Sequence, residues 1–315
     1  MNFWISFANF FASAIRLTAP IALGTLACTI SERAGVINIG IEGSMLFSGF
    51  LAAVGAYYTG SPWVGLLCGC AAGAFLALIL GVLAIYCNGQ QIVIGIGLNL
   101  FGPGFAYMLM RALWDTTGIS PWGEGFQAVN IPFLSRVPIA GTMLSGYPAC
   151  IYLGLLAVAV MQYLLHRTAW GLRIRAVGEN PNTADAAGIN VTKYKYVATC
   201  AGSMIAGLGG LYYVMDYACG VWSNNGFGDR GWLAIALVIF TVWRPNIGVF
   251  ASFLFGGLYI LHMFIPSGMN LAVKELYKML PYVITILVLV IVSMQKKREN
   301  DPPASLGLSY FREER

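Results

Sequence analysis

The feature that most constrains the fold is an interval of 68 residues, positions 43–110, that contains no Asp, Glu, Lys, Arg or His. A helix that crosses the hydrocarbon core of a membrane needs about 20 apolar residues, so this interval can hold three crossings. The whole chain is 58% hydrophobic and 10% charged, whereas soluble domains are typically about 25% charged. The sequence therefore excludes an ordinary soluble domain and predicts an all-α integral membrane protein.

The apolar segments are long blocks, unlike the alternating segments of about ten residues that form transmembrane β-barrels. The 38 glycines suit close packing of helices in a membrane. We predict eight to ten transmembrane helices within a single transmembrane domain, residues 1–315. The apolar helices are predicted at 4–30, 39–58, 62–87, 91–112, 149–166, 195–217, 227–243, 246–265 and 275–295.

The start of the chain and the cysteines argue against processing and cross-linking. The first residues, MNFWISFANFF, lack a basic region followed by a small-residue cleavage site, so we expect this segment to stay in the mature protein. The seven cysteines lie mostly inside apolar runs and form no C-x-x-C pair. We expect them to be small buried hydrophobic residues rather than disulfides or metal ligands.

The orientation in the membrane follows from the Lys and Arg residues, which are enriched in cytoplasmic loops. Loop 167–195 and the tail 296–315 each hold five of these residues, so we place both in the cytoplasm. Counting helices backward from them places the N-terminus outside. The cations lie between and after apolar segments rather than on one basic face, which argues against nucleic acid as a partner.

Two segments are predicted to be irregular. The uncharged core of segment 227–243 has only 12 residues, 232–243, which is too short to cross alone, so we expect a broken or re-entrant helix. The segment 113–148 contains four prolines and five glycines and is predicted to be a long external loop. This loop is either a docking or gating surface or a simple connector.

The stretch SERAGVINIGIEG carries Glu32, Arg33 and Glu42 beside a hydrophobic run. We expect Glu32 and Arg33 at the cytoplasmic end of the first helix, where their charges reach water or each other. Glu42 lies between glycines at the start of the next helix, whose exposed amides favour a carboxylate. We predict a structural role for Glu42, with a gating contact as the alternative.

A weak internal repeat links residues 40–67 to residues 228–254. Each unit opens with Gly, any residue, a charged residue and Gly, then runs apolar, breaks at a proline turn and becomes apolar again. The predicted orientation makes the two units run in opposite directions, as in the inverted repeats of many transporters. The candidate structural or gating residues are Gly40, Glu42, Gly43, Asp229 and Arg230.

Few motifs of enzyme chemistry are present. No P-loop motif occurs, so energy from ATP has to come from a partner, and the two histidines form no H-E-x-x-H metal motif. The segment 226–229, GFGD, resembles the G-x-G-D pattern of intramembrane aspartyl proteases, which need two facing aspartates. Asp216 is the nearest partner for Asp229, so this enzyme is the remote alternative function.

The cytoplasmic segment N-P-N-T-A-D-A-A-G, residues 180–188, has a polar start, a proline in the first turn, an alanine-rich interior and a glycine stop. This order predicts a short capped helix. A solvated turn between two membrane helices is the simpler interpretation of the same residues.

The motifs GLRIRAVGENPNTADAAGINV and ERAGVINIGIEGSM resemble the permease subunits of bacterial ABC importers for simple sugars and nucleosides. The resemblance covers nearly the whole chain and is greatest to nucleoside permeases that are served by basic-membrane-protein-type binding lipoproteins. It implies an ABC importer permease fold and residues 178–190 as the coupling helix that docks on the ATPase. The coupling residues are then Arg173, Arg175, Glu179, Asn180, Pro181, Thr183, Asp185, Ala186 and Gly188.

The resemblance also implies the partners. They are an ABC ATPase subunit, a second and different permease subunit, an external substrate-binding lipoprotein and the lipid bilayer of the bacterial inner membrane. This chain is then no enzyme and binds no cofactor itself, because ATP and Mg²⁺ belong to the ATPase.

A path for nucleosides needs sparse polar groups and aromatic surface rather than a strongly charged pocket. The candidates are Asn38, Ser44, Ser48, Asn99, Asn224, Asn225, Trp232 and Thr241. Each can instead bond to a neighbouring helix or anchor the membrane interface. A ribose or galactose permease is the same-class alternative, whereas a transporter driven by ions would need carboxylates in mid-span, of which we find almost none.

Overall fold

The computed structural model describes residues 3–116, 118–130, 143, 145–223, 227–261, 264, 271–294 and 301–311. Its helices are α1 (Phe3–Arg33), α2 (Ile41–Thr59), α3 (Pro62–Gly81), α4 (Gln91–Trp114), α5 (Ala149–Arg167), α6 (Ala169–Glu179), α7 (Pro181–Ala186), α8 (Val191–Tyr212), α9 (Arg230–Phe240), α10 (Pro245–Leu261) and α11 (Leu271–Met294). Single π-helical turns extend α3 to Tyr86 and α8 to Tyr217.

The nine predicted apolar helices are all present, with ends that differ from the predicted ones by a few residues. Within the residues that the structure describes, five of them are long and apolar enough to cross a membrane: α1, α3, α4, α5 and α8. Helix α9 has 11 residues, about 17 Å at 1.5 Å per residue, so it does not cross a membrane of about 30 Å by itself. This length agrees with the broken or re-entrant helix expected there.

The segment 167–195 is mostly helical rather than a loop. Helix α6 follows α5 after the single residue Thr168, α7 follows after the single residue Asn180, and α8 begins at Val191, four residues before its predicted start. Thr168 and Asn190 cap α6 and α8 by accepting backbone N–H bonds from Gly171 and Lys193. Side-chain capping of successive helices therefore replaces the expected loop with a compact helical corner.

Helices α1 and α8 form the centre of the packing and run antiparallel. A Cβ atom built on Gly202 would lie 2.6 Å from the Ala27 carbonyl oxygen, and one on Gly209 would lie 3.1 Å from that of Pro20. Helix α2 runs parallel to α8, and a Cβ on Gly210 would lie only 1.9 Å from the Met45 carbonyl oxygen. Glycine is required at Gly210 because the two backbones touch there.

The described part of the predicted loop 113–148 contributes two short strands, β1 (Ala128–Val129) and β2 (Tyr147–Pro148), which pair antiparallel. The backbone N–H of Ser120 donates to the Trp222 carbonyl at 3.0 Å. In return the Trp222 N–H donates to Ser120 Oγ at 2.9 Å. The predicted loop 113–148 thus begins inside α4 and is partly ordered against the segment after α8, while residues 117, 131–142 and 144 lie outside the described part.

The cysteines follow the sequence expectation only in part. Cys28 and Cys150 are buried, whereas Cys87 and Cys219 are exposed, so the expectation of burial is wrong for these two. Both lie in turns after a helix end rather than inside the apolar run that precedes them.

Candidate translocation site and coupling surface

Helices α2 and α9 begin at the same place and run in opposite directions. Thr25 Oγ1 of α1 donates to the Ala234 carbonyl at 3.4 Å, and Trp243 bonds to Glu32, so α9 runs parallel to α1. Because α2 is parallel to α8, and α8 is antiparallel to α1, α2 runs the opposite way. The N-terminal ends of the two repeat units therefore meet, and their helices run away from this point in opposite directions.

This meeting point is deep in the packed helices. The backbone of residues 34–40 is non-helical, and it returns along α1 so that Ile41 Cγ2 lies within 3.8 Å of a Cβ built on Gly24. Gly24 precedes the end of α1 by nine residues, about 14 Å of helix and nearly half of a membrane core. Asn38 supports the non-helical backbone by donating to Ser203 Oγ at 3.2 Å.

Glu42 joins the two helix starts. Its Oε2 accepts the Gly231 backbone N–H at 2.5 Å, although the two residues are 189 positions apart. A Cβ on Gly231 would lie 2.6 Å from Glu42 Cα, so only glycine permits this approach. The N-terminal ends of helices carry partial positive charge, and the carboxylate lies in the first turn of α2 and against the first turn of α9. Glu42 therefore neutralises two helix ends at once.

Asn99 of α4 holds the start of α2 from the other side. Its Oδ1 accepts the Gly43 N–H at 2.8 Å, and its Nδ2 donates to the Ile39 carbonyl at 3.0 Å. The helices touch at this crossing, since a Cβ on Gly43 would lie 2.3 Å from the Leu98 carbonyl oxygen. Asn99 thus satisfies backbone groups on both sides of the turn that leads into α2.

Two clefts lie on either side of the start of α9. A cleft of about 380 Å³ is lined by residues of α2 and α4, including Glu42 and Asn99, together with Asp229 and Trp232. A larger one of about 760 Å³ shares Asp229 and Trp232 and adds mainly apolar residues of α1, α10 and α11. Trp232 is 43% exposed. The arrangement offers an aromatic face and a carboxylate beside apolar walls.

The structure separates the candidate path residues. Asn38, Ser44, Ser48 and Thr241 are buried among the helices, each with 2% or less of its surface exposed. Asn99 and Trp232 line a cleft, whereas Asn224 and Asn225 lie outside the described residues. Of the candidate gating residues, Gly40 and Gly43 contact α4, and Asp229 stands at a positive φ of 55° just before α9.

Glu32 and Arg33 lie at the end of α1, as the sequence predicts, but their side chains have different surroundings from those expected. Glu32 is buried and its Oε2 accepts the Trp243 indole N–H at 2.5 Å. Arg33 donates to the carbonyls of Trp243 and Val242 at 3.1 and 3.3 Å. The expectation of free or mutually paired charges is wrong, because both side chains satisfy polar groups of the turn that ends α9.

Several aromatic residues near the site could not be assigned from the sequence. The Arg230 guanidinium lies over the rings of Tyr213 and Tyr217, at 4.7 and 5.5 Å from their centroids, and donates to the Phe227 carbonyl. Trp222 is fully buried and donates from its indole N–H to the Leu46 carbonyl at 2.9 Å. No sequence motif with a fixed spacing links these residues. Their proximity is apparent only from the contacts in the folded chain.

The two aspartates of the protease alternative lie in different surroundings. Asp216 Oδ1 accepts the Phe126 N–H at 3.1 Å, and no hydrogen bond to Oδ2 is found within the described ranges. Asp229 instead lines the clefts beside Glu42 and Trp232. Such a protease needs a facing pair of carboxylates, so this arrangement gives the alternative no support.

The segment predicted to couple the chain to an ATPase forms a protruding corner. Asn180 Oδ1 accepts the Thr183 N–H at 3.0 Å, Pro181 opens α7, and Gly188 follows it at a φ of 80°. These contacts confirm the predicted capped helix, although residues 178 and 179 belong to α6. Ala184 is buried and anchors α7, whereas Thr183, Ala186 and Gly188 are exposed.

The charged residues of this corner are held in different ways. Arg173 Nη1 donates to the Tyr194 hydroxyl at 2.9 Å, which ties α6 to α8. Arg175 is half-buried, Glu179 is exposed and Asp185 is half-buried. The corner therefore presents an exposed helix face that is held to the neighbouring helices by side-chain contacts.

Comparison with known proteins gives a consistent result. A family model described as "Branched-chain amino acid transport system / permease component" matches residues 10–289. The guanosine ABC transporter permease protein NupQ of Bacillus subtilis is 32% identical, over 86% of this chain and 88% of that protein. A second guanosine ABC transporter permease protein of the same organism, NupP, is 28% identical over 89% and 80%. The Haloferax volcanii protein TsgC13, provisionally named as a glucose ABC transporter permease, is 34% identical over 81% and 77%.

Proposed function

This chain belongs to the branched-chain amino acid transport system / permease component family, and from that premise we propose that it conducts nucleosides inward as a permease subunit of an ATP-driven importer. The observation that carries the proposal is the similarity to NupQ, which extends over 86% of the chain. A permease subunit moves substrate, and ATP is hydrolysed by a separate subunit.

The path we propose passes the start of α9, between the clefts that share Asp229 and Trp232. A nucleobase can stack on the exposed Trp232 ring, and ribose hydroxyls can donate to the Asp229 carboxylate. Asn99 and Glu42 hold the backbone around this path rather than the substrate itself. The buried Asn38, Ser44, Ser48 and Thr241 support the helices in this proposal.

The partners we propose are an ABC ATPase at α7, a second permease and an external substrate-binding lipoprotein. Bacillus subtilis contains two different proteins named as guanosine permeases, which favours a heterodimer for this chain. We place the protein in the bacterial inner membrane with α6, α7 and the C-terminus in the cytoplasm and the N-terminus outside. ATP and Mg²⁺ are expected only on the ATPase.

The proposal is tested by uptake of radiolabelled guanosine in cells that express the chain with its ATPase. Uptake should require the chain, and it should stop when the ATPase carries a substitution that prevents ATP hydrolysis. Uptake that persists with the inactive ATPase would identify a transporter driven by an ion gradient. Transport of sugar in place of guanosine would favour the glucose permease alternative, which rests on the similarity to TsgC13.

Asp185→Arg should uncouple the permease from its ATPase. The substitution reverses a charge on the helix that we assign to the ATPase contact, so uptake should fall by about tenfold or more, the scale of a lost charged contact in an interface. The amount of chain in the membrane should stay normal. Uptake at equal amounts of membrane protein measures the effect.

A matched control is Asp301→Arg, which makes the same charge change at an exposed cytoplasmic position outside α7. This control should transport like the unmodified chain. Normal ATP-driven uptake by Asp185→Arg would remove α7 from the proposed coupling surface.

A further inference from the structure

The C-terminal tail does not simply project into the cytoplasm. Residues 305–309, which we call the C-terminal strap, lie across the connections between helices. The Ser305 N–H donates to the Gly178 carbonyl at 3.0 Å, and Ser305 Oγ donates to the same oxygen at 2.5 Å. Ser305 is 5% exposed. The strap is therefore fixed to Gly178 in the last turn of α6, three residues before α7 begins.

The strap also bonds to the turn between α1 and α2. The Gly307 N–H donates to the Gly35 carbonyl at 3.2 Å. Gly307 has a φ of 78°, and a Cβ at this position would lie 2.7 Å from Ile37 Cδ1. Ile37 in turn donates its N–H to Gln91 Oε1 at 2.7 Å. Gly307 thus has both a backbone and a packing reason to be glycine.

Two further contacts fasten the strap to α8 and to the turn before α4. Lys195 is 3% exposed and donates from Nζ to the Leu308 carbonyl at 3.5 Å. This carbonyl is the one hydrogen-bond acceptor found for that ammonium in the part of the chain that the structure describes. Ser309 Oγ donates to the Asn88 carbonyl at 3.4 Å. A buried ammonium without an acceptor is costly, so Lys195 favours the docked strap.

The strap covers the point at which the proposed coupling corner meets the helix bundle. A Cβ on Gly178 would lie 2.2 Å from the Arg33 carbonyl oxygen, so the end of α6 rests directly on the end of α1. From there the chain continues through Gly35 and residues 36–40 to Glu42. The strap bonds to Gly178 and Gly35 at once and closes this corner from outside.

We propose that the C-terminal strap is a coupling element, which fastens the α6–α7 corner to the turn that leads into α2. A displacement of α7 then moves the start of α2, and with it the Glu42 contact to α9, as one body. Without the strap, α7 can move while α2 stays in place. This inference rests on the proposed function as an ATP-driven permease.

The test uses the complete complex of permeases and ATPase in proteoliposomes, with uptake and ATP hydrolysis measured on the same sample. Gly307→Val and a chain that ends at residue 300 should each lower the substrate taken up per ATP hydrolysed by about tenfold, within the usual range of coupling between sites. ATP hydrolysis itself should stay within about twofold of the unmodified complex. Ala304→Val introduces the same side chain at an exposed neighbouring position and should change neither quantity.

Recovery of the ATPase with each tagged permease, together with the thermal midpoint of the complex, separates coupling from folding. Uptake per ATP equal to the unmodified value in both strap variants would overturn the proposal. A loss of uptake that merely parallels loss of assembled complex would also overturn it, because the strap would then be only an anchor. Absence of ATP-driven uptake by the unmodified complex would instead refute the proposed function.

Discussion

Gly210→Ala is expected to prevent most of the protein molecules from reaching the folded state. The added Cβ would lie 1.9 Å from the Met45 carbonyl oxygen and 2.7 Å from the Met45 carbonyl carbon, and neither backbone atom can turn aside as a side chain can. Separating α2 from α8 to relieve the contact loses packing along both helices. We expect a destabilisation of about 3 kcal/mol or more, at the upper end of the range for overpacking. Size-exclusion profiles in detergent and thermal unfolding of the purified chain measure the loss.

Gly97→Ala is the matched control for this prediction. Gly97 also lies inside an apolar helix, α4, but a Cβ there meets nothing within 4 Å. The control should give the same profile and the same unfolding midpoint as the unmodified chain, or a slightly higher midpoint because alanine favours helix. Equal stability of the two variants would show that α2 and α8 do not approach closely at Gly210.

Glu42→Ala is expected to have the largest effect on transport among substitutions that preserve the helices. It removes the acceptor of the Gly231 N–H and leaves two helix N-terminal ends without a neutralising charge. An unsatisfied buried donor costs about 1–3 kcal/mol. Uptake should therefore fall by at least about tenfold, as a change of about 1.4 kcal/mol would produce. Radiolabelled uptake at equal amounts of membrane protein measures this effect.

Two comparisons define the role of Glu42. Glu42→Gln keeps an oxygen that can accept the Gly231 N–H but removes the charge, so its uptake should lie between those of Glu42→Ala and the unmodified chain. Glu275→Ala removes an exposed carboxylate on α11 and should leave uptake unchanged. If Glu42→Ala transports normally, the junction of α2 and α9 is not part of the transport cycle.

Local sequence features predicted the helices well because they act over short distances. Apolar runs separated by Gly, Pro and Asn turns are sufficient to place α3, α4 and α5 to within a few residues. The cap of α7 was predictable for the same reason, since Asn180 and Pro181 act within one helical turn. The repeat motif also indicated that Glu42 and the G-D-R-G segment correspond.

The contacts between distant segments could not be predicted in this way. Nothing local to Glu42 indicates that its partner is Gly231, and nothing in the apolar run around Asn99 indicates that its amide clamps Gly43. Polar residues within apolar helices were also ambiguous, because the sequence does not reveal which face they present. Ser48 is an example: it is a candidate for the path from the sequence, but the structure buries it among the helices.

The contacts of the C-terminal strap could not be predicted from the sequence either. The Lys and Arg residues of the tail predict a cytoplasmic segment after the last apolar helix, and a polar composition is also typical of a solvated end. The docked strap depends on the fit of Ser305 to Gly178 and of Gly307 to Gly35. Such a fit between backbone groups has no signature in the composition of either segment.

Competition during uptake is the decisive test of the proposed transport of nucleosides. Cells with and without the chain take up radiolabelled guanosine in the presence of excess unlabelled purine nucleosides, pyrimidine nucleosides, ribose or glucose. We expect uptake that depends on the chain, is lowered by nucleosides and is unchanged by either sugar. Uptake that is lowered by ribose or glucose but by no unlabelled nucleoside would contradict it.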